Sequence, residues 1–171
     1  MTSARKPVIV RKFSRDWCAG YAAASFGPDE NTAAELEILD QAGKLVSISW
    51  SQIKWVCYVR ELNLSDQSNP ERLLRRRFST RPRTPGLWLR LTLTDGEELE
   101  GLAANDRSLV DGAGLMLTPP DTRSNTQRIY IPRAAIQALE VMGLIRSSSA
   151  GRPAAKPEQP ELFAGDAEVS E

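Results

Sequence analysis

The sequence has no histidine, and its 171 residues include only two cysteines, Cys18 and Cys57. Without histidine it lacks the commonest general base, the commonest metal ligand and the usual partner of a nucleophilic serine or cysteine. The cysteines lie in apolar, strand-like surroundings without metal-ligand spacing, so they read as buried free thiols. No run approaches the roughly 20 apolar residues of a membrane span. The N-terminus, MTSARKPVIVRKF, has no apolar stretch of the secretory kind. Carboxylates gather at Asp95, Glu97, Glu98 and Glu100, but with the spacing of a hairpin and its exposed strand face. Glycine-rich phosphate loops are missing as well. Together these absences predict a cytoplasmic, non-enzymatic protein with no cofactor and no metal.

What is present is charge, unevenly placed. Lys and Arg number 22 and Asp and Glu 22, a formal net charge of zero. Within Asn69–Arg90 (NPERLLRRRFSTRPRTPGLWLR), however, seven arginines face one acid, Glu71, giving 7 − 1 = +6. The stretch Pro157–Glu171 carries five acids and no base. Such opposed blocks favour local contacts over a chain that coats nucleic acid along its length.

Alternating apolar residues predict strands at Pro7–Phe13, Trp17–Phe26, Ala34–Asp40, Leu45–Ile48 and Ile53–Glu61. In the last of these, Ile53, Trp55, Cys57 and Val59 fall on one face. Gln41–Lys44 supplies a hairpin turn, and Gly20 marks a bend or bulge. Asn69-Pro70-Glu71 has helix-start chemistry, predicting a short helix to Phe78 with Leu74 and Phe78 inward and Arg72, Arg75 and Arg76 in water. Pro82 and Pro85 then impose an extended connector. Strands resume at Leu87–Thr94, Glu97–Leu102, Gly114–Thr118, Arg128–Ile131 and Ile136–Ile145, with a short helix as the alternative for the last.

The halves can be overlaid. Gly20-Tyr21-Ala22-Ala23 matches Gly101-Leu102-Ala103-Ala104, and Val46, Ile48, Ile53 and Val56 match Ile129, Ile131, Ile136 and Leu139. This predicts a duplicated five-strand unit. The expected fold class is mainly β: two tandem small SH3-like or Sm-like β-barrel units joined by a short helix, with a disordered acidic C-terminal tail. The expected divisions are a first barrel unit at 7–64, a helix and basic connector at 65–86, a second barrel unit at 87–146, and the tail at 147–171.

The segments VRKFSRDWCAGY, IKWVCYVREL, SNPERLLRRRF, LWLRLTLTDGEELEGLAAND and TPPDTRSNTQRIYIPRAAI resemble a family of uncharacterised bacterial proteins, of the kind seen in Acidobacteria. The resemblance runs from about Val8 to Ile145 and implies a fold and an origin, with no activity and no catalytic residue.

Three constellations are candidates for function. The arginines Arg72, Arg75, Arg76, Arg77, Arg81 and Arg83 form a candidate anion-binding group. The spacings Arg72-x-x-x-Arg76 and Arg77-x-x-x-Arg81 resemble the RxxxR of PilZ domains, which bind cyclic di-GMP. Asp106 and Ser108 would be the second element of such a site, with Gly112 one residue later than that pattern requires. The same basic stretch beside Trp88, Trp55 and Tyr58 offers an RNA or other nucleic-acid alternative. Lastly, Gln159, Leu162 and Phe163 resemble a docking peptide for the DNA sliding clamp. A protein-interaction or regulatory module, with another protein as partner, is the leading expectation.

Overall fold

The computed structural model describes residues 5–24, 34–62, 64–121 and 123–147. Ten strands form one antiparallel sheet: β1 (Arg5–Lys12), β2 (Trp17–Ala23), β3 (Glu35–Leu39), β4 (Leu45–Ser49), β5 (Ile53–Val59), β6 (Gly86–Leu93), β7 (Glu98–Ala103), β8 (Gly114–Thr118), β9 (Thr126–Pro132) and β10 (Ile136–Ile145). Their order across the sheet is β10-β6-β7-β8-β9-β5-β1-β2-β3-β4. The turns follow from local chemistry. Asp40 accepts the N–H groups of Ala42 and Lys44, and Gly43 and Gly96 take the positive φ that the β3–β4 and β6–β7 hairpins require. A single 3-10 turn precedes β5 and another precedes β10.

Two closed barrels joined by a helix do not form. In each half the fifth strand lies beside the first, but no described strand pair closes either half on itself. Instead β5 pairs outward with β9, setting Val56 opposite Tyr130, Cys57 opposite Ile129 and Tyr58 opposite Arg128. That pairing takes the edge a barrel would need for closure, so the description as tandem SH3-like or Sm-like barrel units is corrected to one open ten-stranded sheet. The sheet coils so that Leu89, Leu91, Leu115, Leu117, Ile129 and Ile131 meet Ile9, Trp55 and Cys57 in one core. A second core gathers Val8, Val10, Ile38, Ile53, Val56 and Tyr58. Strand β5 is therefore buried on both faces, with Ile53 on the opposite side from Trp55, Cys57 and Val59. The shift of Ile53 follows a register irregularity where β1 passes from Arg11 to Lys12.

The helix expected over Asn69–Phe78 is also absent. The Asn69 carbonyl accepts the Arg72 N–H at 2.9 Å, and its side chain accepts the Leu73 N–H at 3.1 Å. Arg72 then enters the left-handed region at φ 51°, which ends the turn, and the chain continues extended. Leu73, rather than Leu74, enters the core, while Leu74 is 69% exposed.

Candidate anion-binding site

Two buried carboxylates pin the arginine segment to the sheet. Glu71, 2% exposed, receives Arg11 through Nε and Nη2, both at 2.7 Å, and Trp55 Nε1 at 3.2 Å. Its carbonyl accepts the Thr126 hydroxyl at 2.7 Å, so this one residue ties the segment to β1, β5 and β9. The second pin is Glu100 on β7. Its N–H donates to the Arg76 carbonyl at 2.7 Å, and its carboxylate accepts from the Phe78 N–H at 3.0 Å, Trp88 Nε1 at 3.2 Å and Arg90 Nε and Nη2 at 3.1 and 3.0 Å. Burial alone would push the Glu100 carboxyl up, but the Phe78 N–H, Arg90 and Trp88 together outweigh it and hold the carboxyl below its usual range. Neither glutamate is flagged by a sequence motif. The single acid inside a +6 block was the available sign for Glu71.

Between and beyond these pins the arginines separate into two groups. Arg72 pairs with Glu61 at 3.3 Å. Arg76 pairs with Glu97 and lies 5.6 Å from the centre of the Trp55 ring, which Lys54 also approaches at 4.9 Å. Lys54 is itself paired with Asp95 and Glu97. Trp55, Lys54, Arg76, Asp95 and Glu97 line a cleft of about 950 Å³ in which Arg11, Lys54 and Arg76 are paired with Glu71, Asp95 and Glu97, and to which Lys12 and Arg15 also contribute.

The second cleft, of about 310 Å³, is different. Arg75, Arg77, Arg81 and Arg83 line it with the Ser79, Thr80 and Thr84 hydroxyl-bearing residues, and Thr118, Pro119 and Pro120 form part of the opposing wall. No acidic residue lines it. Arg77 pairs with Glu98, whereas Arg75, Arg81 and Arg83 form no ion pair with a described residue. Of the six candidate arginines, four line this cleft, while Arg72 and Arg76 are paired with Glu61 and Glu97.

Asp106 and Ser108 line neither cleft. Asp106 caps the 3-10 turn Arg107–Leu109, accepting the Ser108 N–H at 2.9 Å and the Ser108 hydroxyl at 2.6 Å. The Ser108 hydroxyl and N–H hold its carboxyl below the usual range. Gln159, Leu162 and Phe163 lie outside the described residues, as does the expected disordered tail from residue 148 onward.

The aromatic side chains proposed as stacking platforms are committed to the fold. Trp55 and Tyr58 are buried, and Trp88 packs edge-on against Phe78 at 5.9 Å between ring centres. Both cysteines are free; burial pushes the Cys57 thiol well up and the Cys18 thiol up, which disfavours thiolate chemistry at either. Among the described residues no cluster of three His, Cys, Asp or Glu side chains is placed to hold a metal, and no helix is long and apolar enough to cross a membrane.

Fold and site define an open-sheet, all-β protein with an arginine-lined cleft. The chain belongs to the family of unknown function DUF6982, whose pattern matches residues 4–143. No curated protein and no solved structure matches it. The uncharacterised family drawn from the sequence is thus supported, and the duplicated barrel units attached to it are corrected to the open sheet.

Proposed function

We propose that the protein is a cytoplasmic, non-enzymatic binding module that takes a phosphodiester ligand in the cleft of Arg75, Arg77, Arg81 and Arg83. The observation that carries this is that four arginines line one cleft with no acidic residue in its lining, and that three of them, Arg75, Arg81 and Arg83, form no ion pair with a described residue. Planar guanidinium forks match phosphate oxygens two at a time, and the neighbouring Ser79, Thr80 and Thr84 add hydroxyl donors. A volume of about 310 Å³ suits one phosphate-bearing unit, at the low end of small-ligand pockets. With Trp55 and Tyr58 buried, recognition rests on the phosphate rather than on base stacking. This favours the backbone of a single-stranded nucleic acid over cyclic di-GMP, whose second binding element, Asp106 and Ser108, is spent on a local cap. The non-enzymatic reading is supported by the absence of histidine and by the burial of Cys57.

Fluorescence anisotropy with a labelled single-stranded oligonucleotide tests it. Binding should weaken steeply with salt, and the variant Arg75→Ala/Arg81→Ala/Arg83→Ala should lose roughly two from the slope of log K against log salt, at about 0.7 per phosphate contact. The same variant should keep the wild-type melting temperature, because its three arginines pair with no described residue. Unchanged oligonucleotide binding in the triple variant, or equal binding of a polyglutamate peptide, overturns the assignment.

A further inference from the structure

We propose that β10 is a self-association surface, pairing antiparallel with β10 of a second copy about a two-fold axis at Glu140. The strand is the last in the sheet and pairs only with β6, so its outer row of backbone N–H and C=O groups meets no described strand. It is ten residues long, and Glu140 is its one ionisable side chain. Exposed edges are ordinarily blunted by lysine or proline, and β10 contains neither.

Its apolar residues are arranged for burial. Ile136, Leu139, Val141 and Leu144 stand opposite Leu93, Leu91, Leu89 and Leu87 of β6. The spacing of three, two and three residues would scatter these side chains over both faces of a regular strand. Register shifts between Ile136 and Ala138, and between Val141 and Gly143, insert one residue each and bring all four back to one face. That face carries on from the core: Leu89 and Leu91 are fully buried, yet Leu139, Val141 and Leu144 are 37%, 56% and 43% exposed. Strand β5 stands to β1 as β10 stands to β6, and there β9 covers the outer edge and every residue is buried. Among the described residues no strand covers β10 in this way.

A second β10 supplies that cover. The three-two-three spacing reads the same in both directions, so an antiparallel pair about Glu140 sets Ile136 of one copy opposite Leu144 of the other, and Leu139 opposite Val141. On the reverse face the two Glu140 carboxylates meet at the axis, each accompanied by Arg90, whose Nη1 lies 3.4 Å from Glu140 Oε2. Each Glu140 thus keeps a guanidinium beside it, one that it shares with Glu100. Such a pairing closes at the dimer, whereas β10 against the free edge of β4 would join copies head to tail and keep growing.

Sedimentation velocity on the full chain tests this, with an expected mass of twice 18.9 kDa. Val141→Lys, at an exposed position, should sediment at 18.9 kDa with an unchanged far-ultraviolet circular dichroism spectrum. In a Cys18→Ser background, Glu140→Cys should give a disulfide-linked dimer on mild oxidation, and Leu45→Cys on β4 should not. A wild-type chain that stays monomeric up to its solubility limit, a Val141→Lys variant that still dimerises, species larger than a dimer, or cross-linking through Leu45→Cys overturns the proposal.

Discussion

Glu100 shows how far a single side chain's role is decided by what lies over it. In sequence it continues the carboxylates of Asp95–Glu98 and shares the alternation of an exposed strand face; in the structure it is 2% exposed. The cover comes from residues 76–78, whose backbone reaches it through the Arg76 carbonyl and the Phe78 N–H, and its cross-strand neighbour Arg90 supplies the counter-charge. Because its folded carboxyl is held below the usual value of 4.5, the stabilisation is fully present above that pH and is lost as the pH falls through the folded value. Glu100→Gln should therefore cost about 2 kcal/mol at neutral pH, since the amide places an N–H₂ against donors that now have an acceptor. The gap between variant and wild type should close below about pH 4.5, and urea unfolding at several pH values measures it. No residue pattern announces this: the segment that buries Glu100 has no periodicity from which its position could be read. The +6 run was legible, but its division between paired and unpaired arginines was not, because the partners Glu61, Glu97 and Glu98 are set by distant turns.

At the scale of elements the strands were largely legible and their irregularities less so. Alternation located all ten, since β-branched and leucine residues recur every second position over most of them. Strand β10 reads ambiguously as helix or strand for a physical reason: its two register shifts space the apolar residues by three, two and three, close to helical intervals. The Asn69–Phe78 helix failed because Glu71 is drawn inward by Arg11 and Trp55, a tertiary pull that outweighs good cap chemistry. Gly20, expected at a bend or bulge, lies in an unbroken register with β1, and the structure gives its glycine a different cause. Gly20 and Gly101 lie on the second strand of each half, where the third strand's backbone comes close: a Cβ on Gly20 would strike the Leu39 carbonyl. One on Gly101 would sit 2.9 Å from Leu117 Cβ and 3.1 Å from the Thr118 carbonyl. Gly101→Ala should cost about 1–3 kcal/mol, visible as a melting temperature lower by roughly 2–12 °C for a chain of this size. Gly143→Ala is the control. Its Cβ meets nothing within 4 Å, and the melting temperature should hold or rise.

For the whole molecule the question is whether the two five-strand halves unfold separately. Similar patterns on both sides of Asn69–Arg90 point to independent barrels when read along the chain, because local alternation says which residues face a core but not which core they share. The structure mixes them. Ile9, Trp55, Cys57 and Val59 from the first half pack with Leu89, Leu91, Leu115 and Ile129 from the second, and Leu73 of the connecting segment joins the same cluster. In the other direction Tyr130 and Met116 contribute to the core of the first half, and Trp50 meets the Tyr130 ring edge-on at 5.7 Å. The β5–β9 ladder and the Glu71 carbonyl bond to Thr126 add polar links across the same boundary. If the halves were separated, both faces of β5 would lose cover, together with the Trp55 N–H and Arg11 contacts that Glu71 provides. At about 25 cal/mol per Å² of apolar surface, exposing even a few such side chains outweighs the stability of a domain this small. Calorimetry should therefore show one transition whose calorimetric and van't Hoff enthalpies agree, and the fragment 1–64 alone should lack the near-ultraviolet signal of a fixed Trp55. Two resolved transitions, or a folded fragment, would show that the shared core does not govern stability.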